Sequence, residues 1–445
     1  MISNDLLKRL EEAVSVVEKH SWVRVISHYD ADGISAAGII CNALLRKGKR
    51  FHATLTRSLD PEFFEKVKEE DVECLIISDM GSGQIELMEQ LKGDVIVLDH
   101  HTIIRESDSV VQVNPHLFGL DGSTQGSAST VSFLFAVALD ESNWDLCGYA
   151  LSGAISDRQQ VPAFSGLNEI VLNEGIERKF IKVEKQLALI GDTLEEGLER
   201  TIFPFFKGIS GRKSSITELV KKLGLEPSTK LKGLDGGVKR GLISYLTLQL
   251  MKQGARPETV AELTEDRYLI EALDVYASDL GSLLNACGRT GHLGTGLSLC
   301  MRDKGAFEEA QKLREEYLSG MMEGLVKLEK EGVYEKDWIQ FFYTENASYS
   351  GTWAGVGMQY LFNQEKPTIA LSVREKQTRI SGRGTRYLVS KGLDLAEAFK
   401  VAAGSLDGSG GGHAVASGAT IPKGKEDKFL DSVDSIVEGQ LGPQA

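Results

Sequence analysis

Three β-branched apolar runs in the first hundred residues each break into acidic or imidazole side chains, and this repetition constrains the fold more than any other feature. VRVIS (23–27) runs into His28, Asp30 and Asp32, CLIIS (74–78) into Asp79, and VIVL (95–98) into Asp99, His100 and His101. A short continuous apolar run reads as a strand buried on both faces, as in parallel sheets. Between the runs lie helical stretches: ISAAGIICNALLRKG, then PEFFEKVKEE with Pro61 in its first turn, then QIELMEQLKG. Alternation at this length implies right-handed βαβ units. The ligand-bearing segments then share the carboxyl edge of one sheet, where open α/β folds bind ligands. A fourth segment, GYALSGAISD, ends in Asp157.

Two adjacent histidines alone would signify little, because neighbours on an extended chain face opposite ways. Several aspartates gathered at one rim are harder to explain structurally. They would repel one another, and each would cost several kcal/mol to desolvate unless cations were present. Oxygen and imidazole ligands without thiolates suit manganese or magnesium, with zinc as a third choice. That many carboxylates suit a pair of ions, an arrangement suited to phosphoester hydrolysis.

The chain has 445 residues, enough for two or three domains. Its net charge of −14 argues against a protein that coats nucleic acid indiscriminately, although bound cations can offset local charge at a site. Cys41, Cys74, Cys147, Cys287 and Cys300 form no CxxC pair and read as reduced core thiols. No apolar run reaches the length of a membrane span, and the first twenty residues form a charged amphipathic helix, so a cytoplasmic protein with no membrane contact is expected.

Farther along, VVQVNP reads as a short strand and GSASTVSFLFAVALD as a helix capped by Ser127 or Ser129. Residues 181–304 look mainly helical; there Arg289 and a glycine-rich turn follow an apolar helix. Ala306, Ala310, Leu313, Tyr317, Met321, Leu325 and Leu328 recur at three- and four-residue steps, which predicts one long connecting helix ended by Gly332. WIQFFY, PTIALSV and TRISGR are then strand candidates, with AGVGMQYLF and LDLAEAFKVAAG as helices. Arg374, Lys376, Arg379, Arg383, Arg386 and Lys391 form a basic stretch before a glycine run that holds His413.

HYDADG, ISDMG, LDHH and GAISD stand in the order and approximate spacing of the four motifs of the DHH phosphoesterase family, which this chain resembles over nearly its whole length. NACGR and GGGH look like the accessory motifs of its RecJ-like exonuclease branch, archaeal type, including the DHH-associated C-terminal domain. The resemblance implies that Asp30, Asp32, Asp79, His100 and Asp157 ligate two manganese ions, magnesium being the alternative, with Asp79 bridging them. His28 joins this set, although bacterial members tend to carry aspartate at that position. His101 would contact the scissile phosphate, and Asp99 would orient a histidine. Arg289, Arg379, Ser381, Arg383 and the loop of Gly410, Gly411, Gly412 and His413 would hold substrate phosphate or a terminal nucleotide.

The expected fold is α/β: a parallel-sheet DHH domain (1–180), a helical middle region extending the catalytic lobe (181–304), a long connecting helix (305–332) and a smaller α/β substrate-binding domain (333–445). The expected activity is manganese-dependent, exonucleolytic hydrolysis of single-stranded DNA or RNA to nucleoside monophosphates, with replication proteins as candidate partners. The alternatives are a phosphodiesterase of short oligonucleotides or cyclic dinucleotides, and a replication-associated factor whose nuclease activity is secondary.

Overall fold

The computed structural model describes residues 2–442 apart from residues 71 and 233. Its contacts divide the chain into two units, residues 1–185 with 266–317 and residues 186–265 with 318–445.

In the first unit, β1 (Trp22–His28), β2 (Arg50–Thr56), β3 (Cys74–Ser78), β4 (Asp94–Leu98) and β5 (Val110–Val113) form a five-stranded sheet in the order β2-β1-β3-β4-β5. Every pairing is parallel, with Ile26 opposite Ile77 and Ile77 opposite Val97. The apolar runs are therefore buried on both faces, and all carboxyl ends lie on one edge. The helices α1 (Asn4–Glu18), α2 (Ala31–Arg46), α3 (Pro61–Glu69), α4 (Ile85–Met88), α5 (Ala128–Leu139) and α6 (Cys147–Ser156) belong to the same unit. One core joins α1, α2, α5 and α6 to one sheet face, and a smaller one packs Phe64 and Val67 of α3 against Ile26, Ile77 and Val97.

Asp30 caps α2 by accepting from the Gly33 amide, and Asp60 caps α3 ahead of Pro61. Ser127 caps α5, accepting from the Thr130 amide, which decides between the two candidate serines. QIELMEQLKG differs from the expected helix: Gln84 ends a 3-10 turn begun at Ser82, Ile85–Met88 form the single turn of α4, and Gly93 lies so close to the preceding chain that a Cβ there would meet Val72 O at 2.1 Å.

The middle region also departs from expectation. It carries β6 (Ile181–Leu187), β7 (Thr264–Ile270) and β8 (Val275–Tyr276) as a three-stranded sheet, and its residues 186–265 group with the C-terminal unit. Helical periodicity in that stretch was weak, and such a grouping depends on contacts distant in sequence. Within the second unit, Arg212 pairs with Glu329 at 2.7 Å, Gln364 donates to Gly254 O at 2.9 Å, and Arg256 stacks 3.8 Å from the Tyr387 ring.

The helix Lys304–Glu331 is continuous, and Gly332 at φ 77° follows it. Beyond it, β9 (Tyr334–Glu335), β10 (Gln340–Tyr343), β11 (Thr368–Val373), β12 (Gln377–Arg383), β13 (Ser409–His413) and β14 (Ala416–Pro422) make a sheet in the order β13-β14-β12-β11-β10-β9. Helices Leu395–Gly404 and Glu426–Leu441 bury Phe399, Phe429 and Val433 with Ile369, Leu371 and Ile380. The five cysteines are buried and unpaired, and no helix among the described residues is long and apolar enough to cross a membrane.

Candidate metal centre

The carboxyl edge of the first sheet gathers side chains from four segments. His28 ends β1, Asp30 and Asp32 open α2, Asp79 follows β3, His100 and His101 follow β4, and Asp157 ends α6. Ligand atoms of His28, Asp30 and Asp79 lie within 4.8 Å of one another, as do those of Asp79, His100 and His101, and those of Asp32, His100 and Asp157. Asp79 belongs to two of these groups. Its backbone adopts φ 58°, a left-handed conformation that aspartate tolerates better than most residues and that costs of order 1–3 kcal/mol.

Carboxylate and imidazole atoms converge closely at this edge. His28 Nδ1 lies 2.9 Å from Asp30 Oδ2 and 3.3 Å from Asp79 Oδ2, yet His28 Nδ1 and Asp79 Oδ2 are buried without a partner in hydrogen-bonding geometry. His100 Nδ1 donates to Gly122 O at 2.8 Å; a carbonyl can only accept, so the proton sits on Nδ1. Nε2 then faces Asp79 at 3.3 Å, Asp157 at 3.6 Å and Asp32 at 4.0 Å. An imidazole anchored through its far nitrogen while its near nitrogen faces carboxylates has the arrangement of a metal ligand. The donor set therefore fits hard divalent cations.

Ionisation follows the same geometry. Burial, reinforced by Asp79, pushes the Asp32 carboxyl up to about 6, and burial beside Asp32 raises Asp157 well above the usual carboxylate range. Burial opposes charge on His28, but its contacts with Asp30 and Asp79 outweigh it and lift the imidazole to about 11. His100 is raised against burial by Asp79 and Asp157. Without cations the cluster therefore keeps protons as its counter-charge.

Supporting groups hold these side chains. Asp32, 1% exposed, accepts from the Ala128 amide at 2.8 Å, the Ser129 amide at 3.1 Å and Ser129 Oγ at 2.5 Å, all at the start of α5. Gly153 allows this approach, because a Cβ there would lie 2.3 Å from Asp32 Oδ1. Gln159 Nε2 also donates to Gly122 O, and Asn168 donates to Gln159. Asp99 is fully buried: it contacts His101 Nδ1 at 2.8 Å and accepts the amides of Ser82, His100 and His101. Burial would raise its carboxyl, but His101 and His100 hold it well below the usual range. The side-chain contact of Asp99 within this cluster is thus with His101.

Arg289 Nη1 donates to Tyr29 Oη at 2.9 Å, and Arg57 lies 5.0 Å from the Tyr29 ring. This brings two guanidinium groups to the residue between His28 and Asp30. Sequence reasoning missed Arg57, Tyr29, Ser129, Gly122 and Gln159. Arg57 carried a usable signal, since it directly follows β2 on the ligand edge; Gly122 carried none, because it acts through its carbonyl.

The remaining expected site residues lie in the second unit. Arg379, Ser381 and Arg383 alternate with buried Thr378, Ile380 and Gly382, so they share one face of β12. Register places Ser381 beside Gly418 and Gly418 beside Gly411, and it places Arg383 beside Ala416 and Ala416 beside His413. Ser381 Oγ lies 2.9 Å from Ser350 Oγ. The GGGH segment, expected as a loop, is the edge strand β13, because its backbone completes the ladder with β14. Its glycines answer to different demands. A Cβ at Gly410 would meet Phe399 O at 2.5 Å and one at Gly412 would meet Ala416 O at 2.7 Å, whereas Gly411 opens onto space.

Residues 22–153 match the DHH family N-terminal domain, and residues 344–439 match the DHHA1 domain. The chain belongs to the DHH family. It is 32% identical over 452 residues to an uncharacterized protein of Methanocaldococcus jannaschii, covering 98% of this chain and 99% of that one. It is 29% identical over 189 residues to the single-stranded-DNA-specific exonuclease RecJ of Thermus thermophilus, covering 39% of this chain and 28% of that protein. The fold of this DHH protein is that of manganese-bound RecJ from the same organism, with a TM-score of 0.62 at 17% identity over 99% of this chain and 55% of the other. CDC45 from Entamoeba histolytica shares the fold at a TM-score of 0.67 and 13% identity, over 98% and 99% of the two chains. The chain thus spans about half of that RecJ structure and has a DHH phosphoesterase fold with a cluster able to hold metal.

Proposed function

We propose that this DHH protein is a two-metal phosphodiesterase that removes nucleoside monophosphates from an end of single-stranded DNA or RNA, with manganese as the preferred ion and magnesium as a substitute. The observation that carries this reading is Asp79, whose two carboxylate oxygens serve separate ligand groups. His28, Asp30 and Asp79 would hold one ion, and Asp32, Asp79, His100 and Asp157 the other. When bound, such a pair supplies Lewis-acid stabilisation of the phosphoryl oxygens and acidifies water.

The chain's own groups do the rest. His101, fixed through Nδ1 by Asp99, is the residue we assign to the phosphate, where a protonated imidazole stabilises charge and supplies a proton to the leaving oxygen. Arg57 and Arg289 offset backbone phosphate charge. In the second unit, Arg379, Ser381, Arg383 and His413 present polar groups beside a strip without side chains at Gly411 and Gly418, where phosphate or a terminal nucleotide can approach the backbone. A cytoplasmic location and association with replication proteins accompany this reading as implications of the family resemblance.

The deciding experiment is a timed digestion of end-labelled DNA and RNA strands with manganese, beside the variant Asp79→Ala. Stepwise release of mononucleotides by the wild type and none by a folded variant is expected. Cleavage retained by the variant overturns the site, and wild-type cleavage confined to dinucleotides overturns the polymer substrate.

A further inference from the structure

The ends of β12 and β14 opposite the GGGH strand carry a cluster of cations that the metal chemistry does not use. Arg374 and Lys376 lie on the turn before β12, and Lys423 and Lys425 on the turn after β14. These turns are joined: Gln377 pairs with Pro422 in the ladder, Arg374 N donates to Gln377 O at 2.8 Å, and Lys423 N donates to Lys376 O at 3.2 Å. The cations therefore stand on hydrogen-bonded backbone.

All four are exposed, and none is within 4.0 Å of a carboxylate among the described residues. Elsewhere in this unit Lys336 pairs with Asp431, Lys366 with Glu335, and Arg212 with Glu329. The acids nearest in sequence are Glu375, Glu426 and Asp427; Glu426 accepts from Thr378 and the Gly424 amide and also interacts electrostatically with Lys423. In a chain of net charge −14, four exposed cations outnumbering the acids around them, and in no close ion pair, offer a contact for an anionic partner.

The cluster also lies in line with the proposed phosphate-binding face. Arg383, Ser381 and Arg379 descend one face of β12, and the strand then ends at Gln377 between the two turns. Seven residues of strand at about 3.4 Å each span roughly 20 Å, farther than a dinucleotide extends. We propose that the turns 374–377 and 422–425 form an outlying contact for the phosphate backbone of a single strand whose terminal nucleotide lies toward Arg383 and His413. This rests on the phosphodiesterase reading and narrows its substrate to polymers.

The test uses the full-length chain with Arg374→Gln, Lys376→Gln, Lys423→Gln and Lys425→Gln combined. Binding of a fluorescent thirty-nucleotide strand is measured in EDTA over a range of salt, beside hydrolysis of a dinucleotide with manganese. The variant should bind the strand at least tenfold more weakly, and its slope of log affinity against log salt should be shallower by up to about 3, at about 0.7 per phosphate contact. Dinucleotide hydrolysis should be unchanged. An unaltered slope, or a wild type that does not bind the strand, overturns the proposal. Because binding is read without metal, failure of the phosphodiesterase assignment appears separately, as strand binding without hydrolysis.

Discussion

Asp99 and His101 are held 2.8 Å apart, carboxylate against Nδ1, with Asp99 fully buried and His101 half-exposed. The pair links the sheet core to the face where phosphate would arrive. Asp99 raises the His101 imidazole despite the opposing effect of burial. A raised imidazole keeps its proton to higher pH, so activity that depends on protonated His101 should fall on the alkaline side. Asp99→Asn should move that limb to lower pH and reduce kcat by about 10–100-fold. Manganese binding should be retained. Rate profiles from pH 5 to 10, with metal content measured in parallel, check this; an unmoved alkaline limb would count against the role given to Asp99.

Asp157 predicts the behaviour of the metal-free protein. Its carboxyl is raised by burial and by Asp32, so the folded state binds that proton more tightly than the unfolded chain. Stability of the protein in EDTA should therefore fall as pH rises through and above the ordinary carboxylate range, because ionisation is then forced on a crowded site. Asp157→Asn should raise Tm at pH 7 in EDTA, by roughly 2–4 °C for each kcal/mol of repulsion relieved, and should have little effect below pH 4. Manganese should stabilise the wild type more than the variant. Differential scanning calorimetry at both pH values, with and without manganese, tests the sign.

Manganese binding itself should release protons. Asp32 titrates at about 6 and His28 at about 11 in the absence of metal, and ligands must shed their protons to coordinate. Affinity should rise from pH 5 to pH 8. Calorimetric titrations at pH 7 in buffers of different ionisation enthalpy should give different apparent heats; identical heats would contradict the assignment of these groups as ligands.

Arg57→Ala and Arg289→Ala should each raise KM for a single strand by about 5–10-fold, the scale of one charge-assisted contact. Their effect on kcat should be smaller, since both arginines meet Tyr29 and neither belongs to a ligand group. Steady-state kinetics on one labelled oligonucleotide separates the two parameters.

Gly411→Val probes the bare strip of the second sheet. A Cβ at this position meets no atom within 4 Å, so Tm should be preserved. The added side chain would stand beside Gly418 and Ser381, and strand binding should weaken at least tenfold. Full binding by the variant would remove this face from the substrate path.

How far the sequence alone could be read depended on how local each signal was. The buried strands were legible because their apolar runs need no distant partner to be recognised, and each ended where a carboxylate or histidine began. Pro61 marked a helix start for the same reason. Ser127 and Ser129 could not be separated, because the difference lies in Asp32, 97 residues from Ser129, which occupies the Ser129 hydroxyl and amide. QIELMEQLKG has helical composition but forms only one turn of α-helix, ahead of Gly93 where the chain passes close to Val72 O. GGGH gave no strand signal, since glycine has little strand preference and β13 exists through its pairing with β14.

By itself, then, the sequence determined which residues could be ligands and that they would fall on one edge of a parallel sheet, because alternating strand and helix leave few topologies open. The tertiary structure decided that Asp79 would fall in two candidate groups, that Gly122 O would set the His100 tautomer, that residues 186–265 would group with the C-terminal unit, and that Ser381, Gly418 and Gly411 would lie in register. Composition and periodicity act over a few residues, whereas these relationships join groups tens to hundreds of residues apart and arise only when packing selects one register.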